Sequence, residues 1–447
     1  MIQKATLCHR SRGRRHRLLY RLFAALIALL LLLPVLTACS GEEEEVAEIA
    51  AYGDEGARFA RALAARFPQR VPYSNQESGA ADLIMEELRK YGYEPEKQSF
   101  SLTDEEGQRQ TSANVIARLE GRGFALTKKQ EETDPEKLPV ERNDLVMVIG
   151  AHYDTPAAMP ADESEDDDEQ VTVHPDGIHN NASGVASVLT AARILRQEHP
   201  GYDIVFVFFG AGTDDYRGAR HYLSSLSPED RGKIDVMVNV GPIYAGDKVY
   251  AHAGQNSVRS GEYKDYAKRR KLYQVTDIFF EFQLNTRNRY AVYTNQASFF
   301  VTLDSGEQAV FREWTSKLSD HTPFDRAGIP VVFMESGDYR VKKMEDVTVE
   351  SRNPFFQDTA GVISGTRFDQ TDVLEELFRQ MDEQTAGQTI PAIDPDDSTA
   401  GEPDPEPDSK GNSKQVIVPR LIQRINNTAF VLVQLTRKGP LNYDFKD

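Results

Sequence analysis

Cysteine is almost absent from this chain of 447 residues, which contains only Cys8 and Cys39. Two cysteines this close to the N-terminus exclude a domain held together by disulfides and a metal centre built on several thiolates. An excess of basic residues is also missing, because 52 Lys and Arg are set against 70 Asp and Glu, a net charge of −18. Without a basic face, nucleic acid is not an expected partner.

A long apolar run occurs near the N-terminus, at residues 22–35, and it is too short for an ordinary membrane span. Seven Lys and Arg residues lie before it, and Leu36-Thr37-Ala38 then precede Cys39. This order is typical of a signal peptide and resembles a bacterial lipoprotein signal, which is cut before the cysteine that carries the lipid. An uncleaved N-terminal anchor is the alternative. Either interpretation predicts an exported protein, and the first attaches it to the bacterial envelope membrane through Cys39.

Composition divides the rest of the chain into segments. Residues 386–414, which include PDPEPD, are typical of a disordered acidic linker. Apolar residues at helical spacing follow, and Thr428–Leu435 is predicted as a strand. We therefore predict five segments, in chain order: a signal peptide (1–38), a lipidated cysteine with its tether (39–54), an α/β domain (55–385), the linker (386–414) and a short C-terminal segment (415–447).

Apolar stretches without alternation alternate with helical patterns between residues 145 and 240. Leu145–Gly150, Ile204–Phe209 and Val236–Val240 are typical of strands buried on both faces. Ser183–Arg196 is predicted as a helix that Ser183 caps. This order predicts a mostly parallel central sheet with helices on both faces. Weaker apolar patterns later in the chain predict a helix at Glu262–Lys271 and strands at Asp277–Leu284, Arg289–Leu303 and Ile329–Met334.

Polar residues follow the buried strands at the edge where an open α/β sheet places its active site. His152 and Asp154 end the first strand, Asn180 precedes the helix, and Asp214 follows the second strand. A run of eight residues, 162–169, is nearly all acidic. We interpret it as a solvated loop; calcium binding is the alternative, although the alternation and turn glycine of a calcium loop are missing.

Several motifs, taken in order, resemble the co-catalytic zinc aminopeptidases. They are GAHYD, DGIHNNASGVA, FVFFGA before a polar turn ending in RGARHYL, VNV, SDHTPFDRAGIPVVF and a later Asp358-Thr359. That family includes secreted bacterial aminopeptidases, glutamate carboxypeptidase, glutaminyl cyclases and the non-catalytic transferrin receptor. The resemblance covers roughly residues 55–380 and implies the three-layer architecture of the zinc exopeptidases.

The resemblance also implies where a site with two zinc ions would lie. His152 matches the first histidine ligand and Asp154 the aspartate that orients it. The other positions carry residues that cannot serve the same role: Asn180 at the bridging aspartate, Gly212 at the general base, Thr213 at a glutamate ligand, Gly241 at an aspartate ligand and Pro354 at the last histidine. All nine histidines lie at or before residue 321, so no later histidine can replace the last one.

Two rearrangements would preserve some metal chemistry. A shift of the turn by two residues brings Asp214 and Asp215 to the glutamate positions, and His179 could join His152 and Asp214 in a single-metal site. Asp320 and His321 either hold their loop against the next strand or shape a ligand pocket.

We therefore expect a non-catalytic domain without a cofactor, anchored to the membrane and binding a peptide or protein partner. The alternative is an active metallo-aminopeptidase that uses zinc in an atypical or single-metal site. A cleft in which His152 faces Asn180, Thr213, Gly241 and Pro354 favours the first function. Inward-facing His179 and Asp214 favour the second.

Overall fold

The protein is described by a computed structural model. It describes residues 53–445 except 104–105, 127–141, 158–174, 260–262, 283, 285–291, 295–297, 303–304, 307, 313–317, 339, 341–343, 386–419 and 442. The predicted signal peptide, Cys39 with its tether, the acidic loop 162–169 and the linker 386–414 lie outside these residues. Among the described helices, none combines the length and apolar character needed to cross a membrane.

An eight-stranded sheet runs through the centre of the fold, and its strands lie side by side in the order β1 (Glu96–Thr103), β2 (Arg109–Leu119), β5 (Asp203–Phe209), β4 (Val146–His152), β6 (Ile234–Val240), β13 (Val331–Gly337), β7 (Lys248–Ala253) and β10 (Val292–Thr294). The four central strands β5, β4, β6 and β13 are parallel to one another, whereas β1, β2 and β7 pair antiparallel with a neighbour. Three two-stranded sheets add β3 (Phe124–Leu126) with β14 (Tyr443–Phe445), β8 (Val258–Arg259) with β9 (Tyr263–Lys264), and β11 (Ser298–Thr302) with β12 (Gln308–Arg312).

Helices cover both faces of the sheet, because its central strands are apolar on both sides. In β4, Met147 and Ile149 join the larger core cluster, whereas Val148 joins the smaller cluster on the opposite face. The nine helices in the described ranges are α1 (Gly53–Arg66), α2 (Asn75–Lys90), α3 (Ser183–Leu195), α4 (Arg217–Ser225), α5 (Pro228–Lys233), α6 (Tyr266–Glu281), α7 (Thr322–Arg326), α8 (Thr371–Thr385) and α9 (Arg420–Leu435). The predicted α/β class with a mostly parallel core and three layers is confirmed.

Two strand predictions were wrong. Asp277–Leu284 lies mostly in α6, where Leu272, Val275 and Ile278 are buried at helical spacing. Thr428–Leu435 is the second half of α9. Both stretches are rich in β-branched and aromatic residues, and a buried helix needs such residues on a wide face, so tertiary packing overrides strand propensity. Within Arg289–Leu303, the described strands are β10 and β11.

The C-terminal helix α9 is part of the main core. It packs along α1 and α3, and Leu421, Ile425 and Leu432 are fully buried. The backbone N–H of Gly53 donates to Asn426 Oδ1 at 3.1 Å, so α9 also caps the first turn of α1. The last residues, in β14, pair with β3.

Candidate functional site

His152 lies at the carboxyl end of β4, and its imidazole is almost completely buried. Its Nδ1 is 3.1 Å from the backbone oxygen of Asp154 and 3.4 Å from that residue's Oδ1. Burial opposes a charged imidazole, but the carboxylates of Asp154 and Asp320 outweigh it and raise the pKa of His152. The predicted His152–Asp154 pair is therefore present, with Nδ1 turned toward the aspartate.

Asp154 ties β4 to the turn that follows β5. Its carboxylate accepts the N–H groups of Gly212 and Thr213 at 2.8 Å and the Thr213 hydroxyl at 2.6 Å. Burial disfavours the carboxylate, yet these bonds together with His152 lower the pKa of Asp154. A charged, multiply bonded aspartate at this position fixes the turn beside the imidazole.

The turn itself has an unusual backbone. Ala211, Asp215 and Tyr216 adopt left-handed φ values of 47°, 51° and 56°. Residues other than glycine occupy this region at an energetic cost, so surrounding contacts must impose the conformation. Besides Asp154, one such contact is Glu77, whose Oε1 accepts the Ala211 N–H at 2.7 Å.

Gly212 and Gly241 have no room for a side chain. A Cβ at Gly212 would lie 2.3 Å from His152 Cβ, and one at Gly241 would lie 2.9 Å from a carbon of the Phe333 ring. The Phe333 ring in turn stacks on His321, with centroids 4.5 Å apart. The space around these two positions is therefore filled by an imidazole and an aromatic ring.

His179 and Asn180 lie in the short turn Ile178–Ala182 before α3. The backbone N–H of Ala245 donates to His179 Nδ1 at 3.1 Å, and His179 Nε2 is 3.2 Å from Glu350 Oε1. Because Nδ1 accepts, Nε2 carries the proton and donates to Glu350. Both ring nitrogens of His179 are engaged, by Ala245 and Glu350, and no lone pair remains for a metal ion.

Asp369 fixes the backbone of this turn. Its Oδ1 accepts the N–H of His179 at 2.8 Å, and its Oδ2 accepts that of Gly365 at 3.2 Å. Burial raises the pKa of Asp369 to about 6. Asn180 Oδ1 is buried and has no hydrogen-bond partner among the described residues. The neutral Asn180 amide, at the position of the bridging carboxylate, therefore lies beside the Asp369 carboxylate, which accepts backbone N–H groups.

Ser183 does not cap α3 as predicted. The first residue of that helix directly continues the preceding turn, so its amide is not an open N-terminus. Its hydroxyl donates to the His179 backbone oxygen at 2.8 Å and accepts the Ile243 N–H at 3.1 Å. Ser183 therefore joins the turn before α3 to the loop after β6.

Asp214 is directed to the rim of the turn. Its Oδ2 accepts the Tyr73 hydroxyl at 2.5 Å and lies 3.3 Å from Arg217 Nε. Asp215 pairs with Arg220 at 2.7 Å. In this conformation both carboxylates that could replace the glutamates are engaged with neighbouring side chains.

Asp320 and His321 lie directly before α7 and are buried. Burial raises the pKa of Asp320 to about 6 and lowers that of His321 to about 3. Asp320 Oδ1 and His321 Nδ1 have no hydrogen-bond partner within the described ranges. Pro354, by contrast, is exposed and begins a short 3₁₀ helix, Pro354–Thr359.

Three buried charged residues were missed by the sequence reasoning: Arg70, Glu77 and Asp369. The Arg70 guanidinium donates to the backbone oxygens of Phe67, Tyr153, Asp176 and Gly177 at 2.7–3.1 Å. Burial lowers its pKa to about 10. Only Glu77 had a sequence signal, since Ser74-Asn75-Gln76-Glu77 has the spacing of a capping box.

Glu77 extends beyond that capping box into the site. Ser74 Oγ accepts the Glu77 N–H, and the Glu77 carboxylate accepts the Tyr73 N–H and the Ser112 hydroxyl, at 3.0, 2.6 and 2.7 Å respectively. Burial, and then the charge of Asp154, raise the pKa of Glu77 to about 7.

The described side chains around His152 offer few possible ligands for a metal ion. Within the described part of the chain, no group of three or more His, Cys, Asp or Glu side chains is placed to hold a metal ion. A catalytic zinc ion ordinarily has three protein ligands. Near His152, the other possible metal ligands are Asp154 and Asp320. The Asp154 carboxylate already accepts hydrogen bonds from the turn after β5.

Comparison with known proteins assigns the chain to a family. Residues 136–360, about half of the chain, match the model of peptidase family M28, and the protein belongs to that family. Alkaline phosphatase isozyme conversion protein of Escherichia coli is 23% identical over 312 residues, which cover 68% of this chain and 78% of that protein. An aminopeptidase of Pseudomonas aeruginosa is 28% identical over 114 residues, 25% of this chain and 18% of that protein.

A solved structure shows the same fold. The crystal structure of glutaminyl cyclase from Fimbriiglobus ruber superposes with a TM-score of 0.50 at 11% identity, covering 88% of this chain and 96% of that one. The predicted resemblance to the zinc aminopeptidases, glutaminyl cyclases and their relatives is therefore confirmed.

Gly212→Ala tests the close packing of the turn on His152. The added methyl group must displace the imidazole or the backbone, and we expect the free energy of unfolding to fall by about 1–3 kcal/mol in urea titrations. Gly232→Ala in α5 is the control, because nothing lies within 4 Å of the added Cβ. It should be neutral or stabilising by up to about 1 kcal/mol. Equal effects of the two substitutions would contradict the packing.

Glu77→Gln tests the raised pKa of that carboxyl. The folded chain holds this proton more tightly than the unfolded chain, so Glu77 favours folding fully below its ordinary pKa of 4.5, and that contribution is lost as the pH rises to about 7. Glutamine cannot ionise. Between pH 4.5 and 7, the free energy of unfolding of Glu77→Gln should therefore fall by roughly 2–3 kcal/mol less than that of the wild type. Glu86→Gln, exposed on the same helix, is the control; an unchanged slope in Glu77→Gln would refute the shift.

Proposed function

We propose that this protein is a family M28 domain that binds a peptide or protein partner and does not hydrolyse peptides. One observation carries the proposal: the positions of the general base and of an aspartate ligand are glycines whose side-chain space is filled by His152 and Phe333. A carboxylate cannot be restored at Gly212 or Gly241 without moving the His152 side chain or the Phe333 ring. Without a base and ligands, neither activation of water nor polarisation of a carbonyl has a source.

The turn before α3 supports the same conclusion. A bridging ligand must balance the charge of two zinc ions, and the Asn180 amide is neutral. His179, its neighbour, has both nitrogens engaged by Ala245 and Glu350. Losses at several independent positions point to a site that no longer holds metal, and the expected cofactor is none.

The class of ligand is supported by the fold and by one relative. Open α/β sheets bind ligands beyond the carboxyl ends of their strands, where His152 and Thr213 lie. The name of the E. coli relative refers to the conversion of a protein, alkaline phosphatase. A peptide segment or a protein surface is therefore the ligand that we propose for this edge of the sheet.

One observation favours the alternative, a metallo-aminopeptidase with an atypical or single-metal site. Asp320 Oδ1 is buried without a partner among the described residues, and its carboxylate acts on the pKa of His152. An imidazole and a carboxylate so placed could provide two ligands for one zinc ion, and Asp214 could add a third if it left Tyr73.

Metal content separates the two functions. Residues 40–447, purified without chelator, incubated with zinc and dialysed, should retain no zinc by mass spectrometry. About two zinc ions per chain would overturn the proposal. One tightly bound ion that is lost in His152→Ala would favour the single-metal enzyme, and aminoacyl substrates should then be tested.

We further propose that the protein is exported and attached to the bacterial envelope membrane through a lipid on Cys39. The order of the basic segment, the apolar run and the small residues before Cys39 supports this location. Cells fed an alkyne-tagged fatty acid should label the wild-type chain and not Cys39→Ser, with Cys8→Ser labelled as the control. Labelling of Cys39→Ser would overturn the attachment at Cys39, whereas an unlabelled wild-type chain that keeps residues 1–38 by mass spectrometry would favour the uncleaved anchor.

A further inference from the structure

The C-terminal helix α9 reaches the loop that follows β6, through one buried arginine. Arg424 Nη1 donates to the backbone oxygens of Ile243, Tyr244 and Gly246 at 3.0, 2.9 and 2.8 Å. Its Nη2 is 3.3 Å from the backbone oxygen of Asp247. A single guanidinium therefore fixes the direction of four carbonyl groups in a stretch of five residues, residues 243–247, which we call the β6 loop.

The amides of the β6 loop are fixed by other partners. The N–H groups of Ile243, Ala245 and Gly246 donate to Ser183 Oγ, His179 Nδ1 and Ser336 Oγ, each at 3.1 Å. The plane of each peptide group links a carbonyl to the next amide. Because the Ala245 N–H shares a peptide plane with the Tyr244 carbonyl, the bond from Arg424 to Tyr244 sets the direction of the N–H that meets His179.

The other partner of His179 is rigidly placed. Glu350 accepts the N–H groups of Ile363 and Ser364 at 2.6 and 2.7 Å through Oε2, and the Ser364 hydroxyl at 2.6 Å through Oε1. Its carboxylate can therefore accept from His179 Nε2 but cannot follow a rotating ring. Glu350 and the Ala245 amide therefore both select the tautomer with the proton on Nε2, and the amide is the partner whose direction depends on Arg424.

We propose that Arg424 is a positioning residue, which acts through the β6 loop to hold His179 with its Nδ1 acceptor bond to Ala245 and its Nε2 proton toward Glu350. The C-terminal helix thereby keeps this imidazole unavailable as a ligand. Loss of the arginine leaves four carbonyls without their donor, and we expect the peptide between Tyr244 and Ala245 to reorient. Without its Nδ1 bond, the His179 ring is held from one side only, and we expect it to leave Glu350 part of the time and to exchange between its two tautomers.

The experiment follows the ring nitrogens of His179 by NMR in the full chain, purified in detergent with ¹⁵N-labelled histidine. A His179→Gln sample identifies the two signals. In the wild type they should be widely separated, as one protonated and one unprotonated nitrogen in a single tautomer. In Arg424→Ala they should move toward each other. In Arg424→Lys, whose ammonium donates from one point, the movement should be smaller.

Asn426→Ala is the matched control. It lies on the same helix and caps α1 through Gly53, so it weakens the docking of α9 without touching the β6 loop. It should leave the His179 signals where they are, even if the melting temperature falls as far as in Arg424→Ala. Unchanged signals in both Arg424 variants, or an equal shift in Asn426→Ala, would overturn the proposal. If Arg424→Ala does not fold, Arg424→Lys against Asn426→Ala decides the question.

This inference does not depend on the proposed function, because the tautomer of His179 is measured without metal and without substrate. Zinc retained by the wild-type chain would refute the non-catalytic proposal and leave the role of Arg424 untouched. Shifted His179 signals in Asn426→Ala would refute the role of Arg424 alone.

Discussion

The carboxylate of Asp154 is the contact on which the arrangement of the site depends. It binds two successive amides and a hydroxyl of the turn after β5, while His152 lies against the same turn. A buried charge of this kind is tolerated only when its lone pairs are used. The strained backbone at Ala211, Asp215 and Tyr216 persists because this anchor and Glu77 hold it in place.

The sequence predicted the strands and helices that carry the site well, because the four central strands are buried on both faces and read as continuous apolar runs. It failed where one residue pattern serves two structures. Thr428–Leu435 has the composition of a strand, and only its packing against α1 and α3 makes it a helix. Serine is a preferred N-cap residue, but the Ser183 hydroxyl joins two loops that are distant in sequence.

Within the site, the sequence predicted which residues lie at the strand ends but not how they are used. His152 and Asp154 pair as expected because they are two residues apart. Arg70 and Asp369 could not be found, since their partners are backbone groups of segments up to 190 residues away. Glu77 showed only the capping-box spacing, which says nothing of its bond to Ala211. Side chains that bind backbone leave no pattern in the sequence of the segment they hold.

The contact between Asn426 and Gly53 has a mechanical consequence. The first turn of α1 rests on the middle of α9, and α9 lies on the β6 loop through Arg424. A pull on the chain at residue 53 would therefore act first on α1 and on its contacts with α9 and α3. Helix α9 thus connects the start of the described chain with the loop whose Ala245 amide meets His179.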